Sequence, residues 1–202
     1  NIREQIEKKT NCNFIGLAPG GIDYEYFYYE EKKDYKNIKI LMLFHPLPKK
    51  GFKDGLEAIQ KIKKENSNIK LHVFSAYPNP QNLIIDEFHY KPSQKKLKKL
   101  YQEANIFLYP ALEEGFGLTL LEAAAAKCVL ITTKVGWTIN FGQNQKDFLL
   151  IEKNDPENII NVITELIGDN QKMERIGEAA SQLAKNFTWQ KSNDNFENLL
   201  NL

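Results

Sequence analysis

Residues 106–132 read IFLYPALEEGFGLTLLEAAAAKCVLIT. Ile106–Tyr109 is an unbroken apolar run of strand length, and Val129–Thr132 is a second. Between them lie a glycine-containing loop and an alanine-rich segment, Leu120–Lys127, that reads as a helix. A strand apolar on both faces is the mark of parallel pairing, where helices cover the sheet on either side. Strand, helix and strand in that order define a crossover unit, right-handed in nearly every known case.

Outward from this stretch the same grammar repeats. Strand-like runs fall at Asn13–Leu17, Ile38–Phe44, Ile69–Ser75, Leu83–Phe88 and Phe148–Ile151. Phe52, Leu56, Ile59 and Ile62 form one helical stripe, predicting a helix over about Lys53–Glu65. Leu97, Leu100, Tyr101 and Ala104 form another, entered after Pro92-Ser93, a good N-cap. After the last strand the pattern is wholly helical. Asp155-Pro156-Glu157 opens one helix, Gly168-Asp169-Asn170 starts the next, and Thr188-Trp189 opens a terminal one carrying Phe196, Leu199 and Leu200. The expectation is an α/β fold, a Rossmann-like three-layer sandwich with a mainly parallel sheet of about six strands and C-terminal helices. Three segments are expected: residues 1–35 as a helix remnant, strand and linker, 36–186 as the Rossmann-like domain, and 187–202 as a C-terminal helix. Lys32-Lys33-Asp34 reads as an ordinary surface turn.

Composition narrows the function classes. Of 202 residues, 42% are apolar and 26% charged, as in ordinary globular domains. Net charge is 27 − 26 = +1, so no global field draws the chain to nucleic acid or anionic lipid. Arg3 and Arg175 are the only arginines, which leaves bidentate readout of bases almost without a donor. No stretch approaches 18 apolar residues, so no transmembrane segment is expected. Cys12 and Cys128 lack C-x-x-C spacing, consistent with a reducing, cytoplasmic setting. No His/Cys/Asp grouping has metal-ligand spacing; His72 falls in mid-strand and reads as structural, and His89 has no obvious partner. A receiver would want an acidic cluster after its first strand, and a dehydrogenase G-x-G-x-x-G; LFHPLPKKG (43–51) offers neither.

The loop after Ile106–Tyr109 is where a doubly wound sheet binds ligands, beyond the carboxyl ends of its strands. Gly115 and Gly117 let the main chain approach a ligand, and free N–H groups of Phe116 to Thr119 at a helix start can hold an anion. Glu114 enters this loop and Glu122 follows one turn into the helix.

Here the chain resembles a known family. Glu114-x7-Glu122, written EGFGLTLLEA from Glu114, is similar to the donor-site motif of family 4 glycosyltransferases, retaining and metal-independent enzymes with two Rossmann-like domains (the GT-B architecture). Gly20-Gly21-Ile22-Asp23 with Phe27 resembles the family's N-G-I-D-x-x-x-F turn, Gly20 replacing asparagine. Lys50-Gly51, followed by Glu57-Ala58, resembles its K-G-x-x-x-x-x-E-A segment, and Asp155-Pro156 and Phe187-Thr188-Trp189 match its late landmarks. The resemblance implies roles. Lys50 and the amides of Gly115, Phe116, Gly117, Leu118 and Thr119 would hold the donor diphosphate. Glu114 would be the catalytic carboxylate beside the reacting carbon, and Glu122 would accept from the ribose hydroxyls. Tyr90 and Lys91 would lie near the base. The family usually places an arginine where this chain has His45, which would then stand in for a permanent cation.

The implied function is the nucleotide-sugar-binding half of a retaining hexosyltransferase using a UDP- or GDP-sugar in bacterial glycan synthesis (capsule, cell-wall or lipid-linked polysaccharide). No cofactor or metal is expected, and no nucleic-acid partner. The family's acceptor domain would precede Asn1, so the 202 residues alone are expected to be inactive, and any peripheral contact with the inner membrane face would run through that missing half. The alternative is a non-catalytic transferase-like subunit that binds nucleotide sugar and supports a partner.

Overall fold

The structure, a computed structural model, describes residues 16, 18–80 and 83–200. The strand expected over Asn13–Leu17 lies outside the described residues, Gly16 aside. Six strands form one wholly parallel sheet: β1 (Ile38–Leu43), β2 (Ile69–Ser75), β3 (Glu87–Tyr90), β4 (Ile106–Tyr109), β5 (Val129–Thr132) and β6 (Leu149–Leu150), in the order β3-β2-β1-β4-β5-β6. This is the Rossmann-like sandwich the strand-helix alternation predicts. The helices are α1 (Tyr24–Phe27), α2 (Phe52–Glu65), α3 (Gln94–Glu103), α4 (Leu118–Ala125), α5 (Pro156–Leu166), α6 (Asn170–Ala184) and α7 (Trp189–Leu200).

Strand side chains alternate between two cores, as period-two geometry demands. Ile40, Met42, Ile106 and Leu108 join α2 and α5 on one face; Leu41, Phe107 and Tyr109 join α1, α3, α4 and α6 on the other. All seven are buried, so the central strands carry no polar face and read as continuous apolar runs. The helices begin where the sequence supplies an acceptor for orphan N–H groups: Ser93 Oγ takes Lys96 N, Asp155 takes Asn158 N and Asp169 takes Lys172 N.

Three expectations need correction. The third strand is Glu87–Tyr90, not Leu83–Phe88. Asp86 decides this: its backbone N–H donates to Leu71 O (3.0 Å), its carboxylate accepts from Leu71 N (2.7 Å) and pairs with Lys63 and Lys70, and the ladder starts only after it. Ile84 is left 71% exposed. The alanine-rich helix starts at Leu118 instead of Leu120, because Gly117 takes the left-handed conformation (φ +88°) just before it. Lys33 is no surface turn residue. Its ammonium donates to the carbonyls of Tyr101, Gln102 and Ala104 at 2.9, 2.7 and 2.6 Å, capping the C-terminus of α3 where orphan acceptors and the negative dipole end coincide.

Strand order reverses between β1 and β4. The loops leaving their carboxyl ends, residues 44–51 and 110–117, therefore meet at the crevice where such sheets bind ligands. Ile22 bridges Thr188 and donates to Phe187 O (2.8 Å), so the segment before α1 is tied to the start of α7.

Candidate functional site

The two loops at the crevice are stitched together by their backbones. Leu112 N donates to Lys49 O at 2.7 Å, and Pro48–Lys50 forms a single 3-10 turn closed by Gly51 N to Pro48 O at 2.9 Å. This delivers Lys50 onto Glu114: Nζ lies 2.9 Å from Glu114 Oε2 and 3.2 Å from the Tyr109 hydroxyl. The Tyr109 hydroxyl also donates to Glu114 Oε2, and Gly115 N donates to Oε1 at 2.7 Å. Both charged side chains are largely enclosed, 17% and 16% exposed. Burial raises the Glu114 carboxyl, but the hydrogen bonds from Tyr109 and Lys50, the ammonium's charge and the Gly115 amide outweigh it and hold Glu114 below the ordinary glutamate value. At neutral pH it is a carboxylate.

Above this pair the chain turns into α4. Among the described residues, no protein acceptor takes the N–H groups of Phe116, Gly117, Leu118 or Thr119. Four unpaired donors at a helix start, beside an ammonium, are an anion seat. The loop is rigid from below: Trp137 N donates to Phe116 O (2.9 Å), and the Phe116 ring packs against Phe187. Gly115 departs from expectation in one respect, since its amide already serves Glu114.

Glu122 projects from α4 onto the Tyr101 hydroxyl, which donates to Oε2 at 3.0 Å. Burial raises its carboxyl above the ordinary value, and Tyr101 only partly offsets this. Tyr101, Phe107 and Tyr109 are neighbours in one aromatic row, with centroids 5.7 and 5.9 Å apart. Each acid thus rests on the hydroxyl of a tyrosine at one end of that row. Sequence reasoning missed Tyr101 and Tyr109. Tyr109 ends the strand feeding the glycine loop, a signal that was available; Tyr101 had only its place in a helical stripe.

His45 is at the mouth beside the lysines. Its Nδ1 accepts from Leu47 N at 3.0 Å and its ring meets Tyr77 edge-on at 4.8 Å. Burial, then the charges of Lys50 and Lys49, push its pKa below the ordinary histidine value, so it is neutral in the free chain at pH 7. A bound dianion would raise that value and draw a proton on. Diphosphate affinity is therefore expected to rise as pH falls from the bound-state pKa toward the lowered free-state one. Calorimetry with a nucleoside diphosphate at several pH values checks this; a flat dissociation constant, with His45→Ala also silent, removes the histidine from the site. Tyr90 ends the edge strand β3 and Lys91 follows it, with Tyr90 half exposed and Lys91 Nζ 5.2 Å from its ring centroid.

A crevice at the switch point of a parallel sheet, with an anion seat and a paired lysine and glutamate, defines a Rossmann-like ligand-binding domain. Residues 29–183 match the model of the family described as glycosyl transferases group 1, and the chain belongs to that family. Among relatives, it is 26% identical over 205 residues to the capsular polysaccharide biosynthesis glycosyltransferase CapM of Staphylococcus aureus, covering 92% of this chain and 53% of CapM. The fold is shared with the C-terminal domain of the glycosyl transferase group 1 protein LpcC of Francisella tularensis (TM-score 0.69, 21% identity, 82% of this chain and 97% of that one). It is shared also with Anabaena HepE, solved in complex with UDP-glucose (TM-score 0.74, 16% identity, 90% of this chain and 56% of that one). The chain spans about half the length of the curated relatives that it matches along most of its length. Among the described residues no helix is long and apolar enough to cross a membrane.

Proposed function

We propose that this chain is the nucleotide-sugar-binding half of a retaining glycosyltransferase, transferring a hexosyl unit from a UDP- or GDP-sugar to an acceptor hydroxyl in bacterial glycan assembly. The observation that carries the reading is the Lys50–Glu114 pair set beside the unpaired amides of Phe116 to Thr119. The amides and the ammonium are donors only, and suit a diphosphate. The likeness of fold to a protein solved with UDP-glucose supports the same donor class.

Each role follows from what the group can do. The diphosphate departs as the bond from the sugar's anomeric carbon to its oxygen breaks, and the amides and Lys50 neutralise the charge gathering on it. The acceptor oxygen forms its new bond on the same face, and its proton passes to a phosphate oxygen of the leaving group. Glu114, ionised at neutral pH, stabilises the positive charge on the sugar. Glu122 accepts from the ribose diol when ionised. The donor chemistry needs no metal in this scheme. The acceptor site belongs to a preceding domain, and α7, which buries none of its residues and exposes Trp189 and Phe196, is the face that would pack toward it. The 202 residues alone then bind donor and transfer nothing.

A thermal-shift screen of the chain against UDP, GDP, ADP and their sugars tests the reading. One nucleoside diphosphate raises Tm in a concentration-dependent way, and Lys50→Ala abolishes that shift. No shift with any nucleotide at millimolar concentration rejects the donor-binding proposal.

A further inference from the structure

Sequence spacing hides one grouping that the sheet creates. His72 and His89 are 17 positions apart, yet β2 and β3 pair in parallel with His72 opposite Glu87 and Phe74 opposite His89. Residues 87 and 89 share a face by the two-residue period of a strand, and it is the face of His72. Glu87 Oε2 lies 3.3 Å from His89 Nε2 and 3.7 Å from His72 Nδ1, and one ligand atom from each of the three residues lies within 4.8 Å of the others.

We propose that His72, Glu87 and His89 form a binding site for a zinc-class divalent metal ion. Two imidazoles and a carboxylate are a borderline-soft donor set that suits zinc, cobalt or nickel over magnesium or calcium. Metal–ligand bonds of about 2.0–2.2 Å in a tetrahedron place donor atoms roughly 3.3–3.5 Å apart. Two of the observed separations, both to the half-exposed Glu87, already stand at 3.3 and 3.7 Å, and the third, between the two imidazoles, is no more than 4.8 Å, so a small rotation of the rings completes the set. A second observation points the same way. His89 Nε2 is shielded from solvent and makes no hydrogen bond although Glu87 Oε2 is 3.3 Å away, so a buried ring nitrogen that faces the carboxylate is left without a hydrogen-bond partner. Burial, ahead of the opposed charges of Lys39, Lys96, Asp86, Glu87 and Glu103, keeps both imidazoles below their ordinary pKa and hence as neutral ligands at pH 7. Glu87 forms no ion pair with a lysine or arginine among the described residues.

The ion would staple the edge strand β3, held on one side only, to β2. With three protein ligands it keeps an open position for water, so the site is weaker than a closed structural one. It uses none of the residues of the donor crevice and stands or falls separately from the glycosyltransferase reading.

Calorimetric and thermal titration of the untagged chain with zinc is expected to give one ion per chain at micromolar metal. Tm should rise by roughly 5–10 °C when zinc is about a hundredfold above Kd. Cobalt(II) in the same site gives the intense visible absorption of a four- or five-coordinate ion, which aqueous cobalt lacks. Glu87→Gln and His89→Gln each weaken binding about tenfold or more, and His45→Gln leaves it unchanged. The proposal is overturned by a wild-type chain that takes up no zinc under these conditions, or by Glu87→Gln and His89→Gln chains that bind as tightly as wild type. The cobalt spectrum is read on the unsubstituted chain, so a variant that fails to fold leaves the test intact.

Discussion

Gly51→Ala is expected to lower the unfolding free energy by about 3–5 kcal/mol and, on the donor-binding proposal, to abolish nucleotide binding with it. Gly51 sits at φ +66°, where a Cβ alone is unfavourable by about 1–2 kcal/mol. The larger effect is steric. A Cβ there would stand 1.8 Å from Pro110 O, a backbone atom fixed at the end of β4. Neither side can yield cheaply, because Leu112 N is bonded to Lys49 O and Gly51 N to Pro48 O. Relief means parting the two loops, which carries Lys50 away from Glu114. Denaturant unfolding of the chain and its Gly51→Ala variant measures the loss. Gly115→Ala is the matched control: a Cβ there meets nothing within 4 Å, and stability should stay within about 0.5 kcal/mol of the parent. A Gly51→Ala chain as stable as the control would show that the loops are not locked together.

The second large effect rests on the proposed transferase activity and concerns Glu114. Glu114→Gln is expected to lower kcat/KM by about 10³-fold, roughly 4 kcal/mol of transition-state stabilisation, with a smaller change in donor affinity. The amide keeps the size and one acceptor for Tyr109, but it loses the negative charge that faces both Lys50 and the developing charge on the sugar. The loss should fall on kcat. A fall confined to KM would make Glu114 a binding group only. An enzyme unchanged by the substitution, or a full-length protein with no transferase activity to lose, would favour the non-catalytic subunit. The neutral His45, standing where the resemblance expects an arginine, is the observation on that side. Folding stability carries its own signature of the pair. Because the Glu114 carboxyl is held below its ordinary value, its contribution is complete above that ordinary value and is lost as pH falls through the lowered one.

How far the fold was legible depended on which strands were apolar. β1, β4 and β5 are central, covered on both faces, and announce themselves as the apolar runs Ile40–Leu43, Ile106–Tyr109 and Val129–Ile131, while β2, also central, keeps Ile69, Leu71, Val73 and Phe74 as its apolar signal. β3 is an edge strand whose start is set by a polar residue, Asp86 clasping the backbone of Leu71, so hydrophobicity placed it four residues early. Lys33 misled for a similar reason: a lysine among charged neighbours reads as solvated, and only the position of the end of α3 gives its ammonium three carbonyls. In the candidate site, the glycine loop and its two acids were legible because local chain geometry makes a helix start an anion seat wherever it occurs. The tyrosines that carry those acids were not, since nothing in a lone hydroxyl says which carboxylate it will meet.

The chain's linear order alone determined a parallel α/β sandwich, a phosphate-suited loop between β4 and α4, and membership of a recognisable family, because each is written in contiguous patterns of apolar period, glycine and cap. The tertiary structure alone decided that Lys50 lands on Glu114 across 64 positions, and that His72, Glu87 and His89 share one face. Both depend on register between segments distant in the chain, and register is set by how two-faced strands pack beneath their helices, a property of the assembled sheet and not of any stretch within it.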